Sequence, residues 1–309
     1  MKDEVHSLRI EDKEVIRKMA LDAGFHDARF TDCLIEDHTI EHLTAYENRI
    51  QKQDANNGLS WFLKYKDIRR NPHMLLENVQ SVLILASVYH TKEAEPYLHG
   101  RYCLARYALG KDYHLILKKK GNELLKKIND AYSCKGRVLV DTAPFLEKYF
   151  AVKSGIGFYG KNSLVISPSF GSFFHITVIL LNLSILPDHP AFADCGSCTN
   201  CIAACPAGAI QHYSIDPYLC TSYRTIESKE IFCEKQNTGG YIFGCDLCQN
   251  VCPYNRPPAY ANFEEYKPSS EIPTNITGPI DRELFERIKK ESVIQRVSYE
   301  KFNNSINTT

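Results

Sequence analysis

A short segment near the middle of the chain carries four closely spaced cysteines, and it constrains the fold more than any other feature of the sequence. The segment CGSCTNCIAACPAGAI spans residues 195–210. Its spacing, C-x2-C-x2-C-x3-C-P, is the one with which bacterial ferredoxins bind 4Fe-4S clusters: three cysteines bind one cluster and the fourth binds the other. The segment therefore predicts a ferredoxin-like domain.

A second segment, GCDLCQNVCPYN at 244–255, repeats the pattern with one cysteine fewer, and Cys220 in DPYLCTSY is the natural replacement. Two cubane clusters need eight thiolates, and the two segments with Cys220 supply them. Ligation that crosses between the segments predicts two ligand sets. The first set is Cys195, Cys198, Cys201 and Cys252, and the second is Cys205, Cys220, Cys245 and Cys248.

Structural zinc is the alternative, because C-x2-C pairs also suit a tetrahedral zinc ion. The crossed C-x3-C-P closure favours iron-sulfur clusters, since zinc fingers lack it. The remaining cysteines are predicted to be buried free thiols. They are Cys33, Cys103, Cys134 and Cys233.

The sequence contains no pattern typical of secretion or of a membrane span. The N-terminal segment mixes charged and apolar residues and lacks the apolar core of a signal peptide. The most apolar stretch, ITVILLNLSIL at 176–186, is shorter than the roughly 20 residues that a membrane helix needs. We therefore expect a cytoplasmic protein with no membrane partner, in which thiols stay reduced. We also expect a monomer. The formal net charge is zero, so any nucleic-acid partner must meet a local basic surface.

Strand and helix patterns alternate ahead of the cysteine-rich region, which predicts an α/β (α+β) fold. Residues 1–75 look mainly helical. Strands are predicted at 81–90, 136–141 and 163–167, and a further apolar strand is predicted to end near residue 186. Helices are predicted at 112–132 and 144–155. The composition changes abruptly near residue 190. The predicted domains are 1–190, 191–258 and a short helical extension, 259–309, with one helix at 280–291 and a frayed polar end.

Three weaker features have competing interpretations. Asp141 follows a predicted strand and precedes a helix, where it could bind a ligand or cap the helix, and the residues alone leave both open. The string Gly155-x-Gly157-x-x-Gly160 matches a dinucleotide fingerprint, but it follows a helix and precedes a strand, which is the wrong context. HTIEH at 38–42 matches a metalloprotease string, yet a solvated helix is the better interpretation because no third ligand is identifiable.

Several segments taken together resemble the epoxyqueuosine reductases, cobalamin-dependent iron-sulfur enzymes that complete the synthesis of queuosine in transfer RNA. They are VDTAPFLEKYFAVKSGIGFYGKNSLVI, GSFF, CTSYRTIE and the two cysteine segments, and the similarity covers roughly residues 60–258. The resemblance implies a nitroreductase-like domain that binds cobalamin, followed by a ferredoxin-like domain with two 4Fe-4S clusters.

The resemblance also implies a reaction and a site. Electrons would pass from an external donor through the clusters to cobalt, and epoxyqueuosine would be reduced in the anticodon stem-loop of tRNA. Asp141 matches the family's proposed proton donor. The implied cobalamin contacts are Asp141, Val165, Ile176, Ser222 and Asp246.

Two departures and two alternatives accompany this resemblance. The sequence KSGIGFYGKN stands where the family more commonly has a motif of the AGLGW type. Only 57 residues follow Cys252, which leaves little room for the helical repeats that help many relatives hold tRNA. A reductive dehalogenase pairs the same cofactors but usually carries a twin-arginine export signal, which this sequence lacks. A ferredoxin-type electron carrier, with the first 190 residues as a docking domain, would bind no cobalamin.

Overall fold

The computed structural model describes residues 10–53, 57–190, 192–231, 235 and 237–309, and these divide into two compact units. The first unit contains the described segments up to Ser87, His114–Phe158 and His175–Ala193. The second contains Val88–Tyr113, Tyr159–Phe174 and Asp194–Thr309. The predicted domains are consecutive, whereas the two units interleave, because the chain leaves the first unit twice before residue 190 and then returns. The predicted domain boundaries stay a prediction.

The elements are numbered in chain order. The strands are β1 (Asp27–Thr31), β2 (Ser81–Val88), β3 (Cys103–Leu104), β4 (Gly136–Leu139), β5 (Phe158–Tyr159), β6 (Val165–Ile166), β7 (Phe174–Leu181), β8 (Ile210–Gln211), β9 (Ser214–Ile215) and β10 (Tyr241–Phe243). The helices are α1 (Ile10–Asp22), α2 (Asp37–Gln53), α3 (Ser60–Lys64), α4 (Lys66–Arg70), α5 (Tyr113–Tyr132), α6 (Glu147–Ser154), α7 (Asn200–Ala204), α8 (Leu247–Asn250), α9 (Arg282–Lys289) and α10 (Tyr299–Asn307).

A four-stranded sheet with the order β1-β2-β7-β4 forms the centre of the first unit. Strands β1 and β2 pair antiparallel, as do β4 and β7. All eight residues of β2 are buried, which matches its largely apolar sequence, SVLILASV, because a strand covered on both faces favours apolar side chains on both. Gly121 lets α5 lie close to the sheet, since a Cβ there would be only 2.7 Å from Val138 Cγ1.

A buried ion-pair cluster ties α1 and β1 to the last segment of the first unit. The carboxylate of Asp188 lies 2.7 Å from Lys13 Nζ and 3.0 Å from Arg17 Nη2. It also accepts the backbone N–H of Phe30 at 2.8 Å. The side chains of Lys13, Arg17 and Asp188 are 16% exposed or less, so each charge depends on the others for stabilisation.

The second unit is built from short elements around the cysteine segments. Strands β3 and β10 pair in parallel, and β8 and β9 form a hairpin. Helices α7 and α8 pack against each other, and α10 packs against β10. This sparse regular structure fits the change of composition near residue 190.

Two local predictions were wrong, and one strand was not predicted. Strand β1 was missed in a region predicted to be mainly helical. Helix α6 begins at Glu147 and not at Pro144, although Gly155 ends it in the left-handed conformation with φ +87° as its sequence context predicts. The polar end is a capped helix rather than a frayed one: the Ser298 hydroxyl accepts the N–H of Lys301, and Phe302 and Ile306 are buried.

No described helix is both long enough and apolar enough to cross a membrane.

Candidate iron-sulfur and catalytic sites

The four cysteines predicted to hold the first cluster line one cavity in the second unit. Cys201 lies in α7 and Cys252 follows α8, and the packing of these two helices brings the two thiols together. A turn closed by the bond from Cys198 N–H to Cys195 O adds the other two. The residues that line the cavity are Cys195, Cys198, Cys201, Cys252, Lys161, Asn162, Ile166, Asn200, Pro253 and Tyr254.

The four cysteines predicted to hold the second cluster also lie near one another. Burial raises the pKa of the Cys245 thiol to about 12, and the neighbouring Asp246, Cys220 and Cys205 raise it further. Burial likewise raises the pKa of Cys248, and the neighbouring thiols of Cys245 and Cys220 raise it further. Iron must therefore displace protons from these thiols when it binds.

Among the described residues, no three His, Cys, Asp or Glu side chains meet closely enough to hold a single metal ion. The thiolates around a cubane cluster lie farther apart than those around one ion. The division of the eight cysteines into two ligand sets stays a prediction.

Lys161 is a residue of the cluster site that the sequence did not reveal. Its side chain is buried, and its ammonium group donates to the carbonyl oxygens of Gly196 at 2.7 Å and Cys198 at 2.8 Å. Its backbone N–H donates to Cys195 Sγ at 3.4 Å. Hydrogen bonds of this kind orient metal ligands and tune the potential of the metal site.

A buried amide network holds a turn against the second cysteine segment. Asn255 Oδ1 accepts the backbone N–H of Ser172 at 2.7 Å, and its amide group donates to Gln249 O at 2.7 Å. Gln249 Oε1 in turn accepts the Ser172 hydroxyl at 3.0 Å. These hydrogen bonds hold the GSFF motif, which begins at Gly171, beside the segment that contains Cys248 and Cys252.

Asp246, a predicted cobalamin contact, is 1% exposed and is paired with Arg106. Asp246 Oδ2 accepts the backbone N–H of Arg106 at 2.8 Å and lies 3.1 Å from Arg106 Nη1. Burial raises the pKa of Asp246, and Arg106 opposes this shift. Asp246 Oδ1 is buried without a hydrogen-bond partner among the described residues, and such an atom is a position for a polar group of a ligand.

The structure brings the segment that contains Ser222 to the segment that contains Asp246. Ser222 precedes a π-helical turn, Tyr223–Glu227. Within that turn, the Thr225 hydroxyl donates to Thr221 O at 2.8 Å and accepts the N–H of Gly244 at 3.1 Å. Thr225 thus joins the two segments that contain the predicted cobalamin contacts Ser222 and Asp246.

Asp141 lies in the first unit, two residues beyond β4, and does not cap the following helix. The N-cap of α6 is Leu146, without a side-chain cap, so the capping alternative is wrong. The Asp141 side chain is 49% exposed, and its Oδ2 lies 3.1 Å from Nε2 of His114 near the start of α5. The backbone N–H of Asp141 donates to Glu147 Oε1 at 2.7 Å. The sequence pointed to neither His114 nor Glu147.

The other predicted residues are distributed as follows. Val165 is buried in β6 of the second unit, and Ile176 is half-buried in β7 of the first. The cobalamin contacts stay a prediction. Cys103 and Cys134 are buried as predicted, but Cys33 is half-buried and so departs from the prediction. Cys233 lies outside the described residues.

Two known families match parts of the chain. Residues 194–255 match the 4Fe-4S double cluster binding domain, a segment that contains all eight predicted ligands. Residues 69–142 match the family described as epoxyqueuosine reductase QueG, DUF1730, a segment that includes Asp141. The first match supports two 4Fe-4S clusters in place of zinc.

The similarity to known proteins extends along nearly the whole chain. An epoxyqueuosine reductase of Cyclobacterium marinum is 34% identical over 300 residues, which cover 95% of each chain. One of Leadbetterella byssophila is 33% identical over 295 residues, covering 94% of this chain and 96% of that one. A crystal structure of epoxyqueuosine reductase with a tRNA-Tyr epoxyqueuosine-modified stem loop superposes with a TM-score of 0.77 and 25% identity, over 96% of this chain and 80% of that one. The predicted fold class is confirmed, and the chain belongs to the epoxyqueuosine reductase family of oxidoreductases.

Proposed function

We propose that the protein reduces epoxyqueuosine to queuosine at the wobble position of tRNA, with two 4Fe-4S clusters and cobalamin as cofactors and Asp141 as the proton donor. The observation that carries the proposal is the alignment with a named epoxyqueuosine reductase over 95% of both chains. The proposal assigns the eight cysteines to the two clusters and Asp141 to the transfer of the proton.

The reaction balances as a two-electron reduction. Removal of the epoxide oxygen consumes two electrons and two protons, restores a carbon-carbon double bond and releases water. An external low-potential donor would supply the electrons, and the eight cysteines would hold the iron-sulfur clusters that accept them. Cobalamin, when bound, would supply the metal centre that delivers electrons to the epoxide carbon.

Asp141 has the accessibility and the partners that a proton donor needs. Half of its side chain is exposed, so its carboxyl group can reach a bound substrate. A substrate that covers the carboxyl group excludes water and favours its protonated form, which is the form that can donate to the departing epoxide oxygen. His114 holds Asp141 Oδ2 at 3.1 Å and fixes the orientation of the group.

The residues present fit both kinds of cofactor. Four thiols around one cavity suit a cubane cluster, and Lys161 adds hydrogen bonds at its edge. For cobalamin, the buried and unpartnered Asp246 Oδ1 offers an acceptor for a polar group. We infer that Asp246, Ser222 and Val165 of the second unit would contact cobalamin, and the resemblance implies the same role for Ile176 and Asp141 of the first.

The partner is inferred to be the anticodon stem-loop of a tRNA that carries epoxyqueuosine. A solved relative is described as bound to such a stem loop. With zero net charge on the whole chain, phosphates must meet local basic groups. Helix α5 begins beside Asp141 and carries the exposed lysines Lys118, Lys119, Lys126 and Lys127.

Cofactor loading tests the proposal before any assay of activity. The protein is reconstituted anaerobically with iron, sulfide and cobalamin, separated by gel filtration, and analysed for iron, cobalt and visible absorption. We expect about eight irons and one cobalamin per chain. Cluster assembly without cobalamin uptake would overturn the proposal and favour the ferredoxin-type electron carrier.

A further inference from the structure

The turn that carries Asp141 has a backbone conformation that few residues other than glycine adopt. The φ angle of Asp141 is +52°, in the left-handed region that only a few per cent of non-glycine residues occupy. The N–H of Thr142 donates to Val140 O at 2.5 Å and closes a three-residue turn around Asp141. Turns of this kind with a positive central φ are rare and strained, and they persist only where surrounding groups hold them.

Glu147 supplies a contact that holds this turn. Its Oε1 accepts the backbone N–H of Asp141 at 2.7 Å. Glu147 is the first residue of α6, and α6 is itself fixed by the ion pair between Lys153 and Asp32, 2.5 Å apart. The acceptor therefore sits at the start of a regular helix, whereas the residue that it holds sits on a strained turn.

We propose that Glu147 is the positioning residue for Asp141: by accepting the Asp141 N–H, it fixes the turn that presents the Asp141 carboxyl group beside His114. The role of that carboxyl group in epoxide reduction rests on the proposed function. The contact between Glu147 and the turn does not.

The charge state of Glu147 indicates which replacement should preserve this contact. Desolvation raises the pKa of Glu147 to about 8, and the charge of Asp141 raises it further, whereas the Asp141 N–H, His114 and Lys148 oppose the shift. Glu147 is then largely protonated near neutral pH. A neutral carboxyl group still accepts a hydrogen bond through its carbonyl oxygen, and a glutamine side chain offers the same acceptor.

A titration of the cofactor-free protein tests whether Glu147 senses Asp141. In protein labelled with ¹³C at glutamate carboxyl groups, NMR should show the Glu147 signal titrating above the range of ordinary glutamates. The signal should vanish in Glu147→Gln, remain in the control Glu283→Gln, and move to lower pH in Asp141→Asn, because a like charge is removed. No response of the Glu147 signal to Asp141→Asn would overturn the proposal, because a carboxyl group in contact with Asp141 must sense the loss of its charge.

Turnover of epoxyqueuosine tRNA tests the consequence. Glu147→Gln should retain the wild-type kcat, whereas Glu147→Ala should lower kcat by about 100-fold with unchanged KM, because a small misplacement of a reacting group is that costly. Glu283→Ala changes an exposed glutamate in the first turn of α9 and serves as the control. Equal loss in both Glu147 variants, or none in Glu147→Ala, would contradict the proposal.

The two tests separate the possible failures. If Glu147→Ala does not fold, the titration and Glu147→Gln still decide the role of Glu147. If the loaded wild-type protein has no reductase activity, the proposed function fails, while the titration still tests the contact between Glu147 and Asp141.

Discussion

The backbone N–H of Lys161 donates to the sulfur of Cys195, with 3.4 Å between the nitrogen and Sγ. The same residue donates through its ammonium group to two carbonyl oxygens of the loop that carries Cys195 and Cys198. Lys161 thus joins the cysteine loop to the turn that follows β5, and it places a positive charge beside the predicted first cluster.

Replacement of Lys161 by methionine should weaken this cluster site. Loss of the two charged hydrogen bonds should cost about 2 kcal/mol of unfolding free energy, and loss of the positive charge should shift the potential of the first cluster to a more negative value. Urea unfolding and a redox titration followed by electron paramagnetic resonance measure the two effects. Lys127→Met, on the exposed face of α5, is the control. A potential equal to that of the wild type would contradict this account of Lys161.

Single cysteine replacements test the two ligand sets. Cys220→Ala should lower the iron content from about eight to about four atoms per chain, because each cubane cluster needs four thiolates. Cys252→Ala should cause the same loss from the other cluster. Cys134→Ala removes a buried thiol outside both sets and should leave the iron content unchanged. Full iron in Cys220→Ala would show that another group replaces this ligand.

Gly171→Ala should destabilise the protein strongly. Gly171 has φ +74°, and a Cβ there would lie 1.9 Å from Asn255 Oδ1 and 2.7 Å from Tyr254 O. Strain and overpacking together should cost about 3 kcal/mol. Gly208 shares a positive φ, +60°, but has open space around its Cβ position, so Gly208→Ala isolates the strain and should cost only about 1 kcal/mol. Similar losses in thermal unfolding for both variants would be inconsistent with the close approach.

The Asp188 ion pairs should make stability depend on pH in the acid range. Burial would raise the pKa of Asp188, but Lys13, the Phe30 N–H and Arg17 together hold it below its usual value. A lowered native pKa stabilises the fold above the unfolded pKa of about 3.9, and this contribution is lost as the pH falls through the native pKa.

Asp188→Asn should therefore cost about 3 kcal/mol at pH 7, because it leaves two cations poorly compensated. Its unfolding free energy should also fall less than that of the wild type as the pH is lowered below about 4. Urea unfolding across this range measures both. Asp22→Asn breaks an exposed pair with Lys18 and should behave like the wild type. Parallel pH curves for wild type and Asp188→Asn would argue against the predicted role.

The sequence revealed those parts of the site that depend on local spacing. The cysteine segments could be recognised because their spacing repeats within a few residues, whereas the role predicted for Asp141 came from the family resemblance. Lys161, Asn255 and Glu147 could not, because their roles depend on contacts that only the folded chain creates. Lys161, for example, contacts a loop 35 residues away along the chain.

The same distinction applies to the fold. Strand β2 was predicted from its near-continuous apolar sequence, which is typical of a strand covered on both faces. Strand β1, with the sequence DARFT, lies at the sheet edge, and half-buried and buried residues alternate over its first four positions. Its sequence therefore resembles a polar segment. Helix α10 depends on two apolar residues one turn apart, Phe302 and Ile306, within a polar sequence.

The most direct test of the central claim is conversion of the modified nucleoside. The anaerobically loaded protein is incubated with epoxyqueuosine-containing tRNA and a strong reductant, and the nucleosides are identified by mass spectrometry. We expect queuosine to form with the wild type and to form at least about 100-fold more slowly with Asp141→Ala, which loses the general acid. This variant keeps the eight cysteines and the other four predicted cobalamin contacts, so it should still take up iron and cobalamin. Unchanged epoxyqueuosine with the fully loaded wild type, or undiminished conversion by Asp141→Ala, would contradict the account.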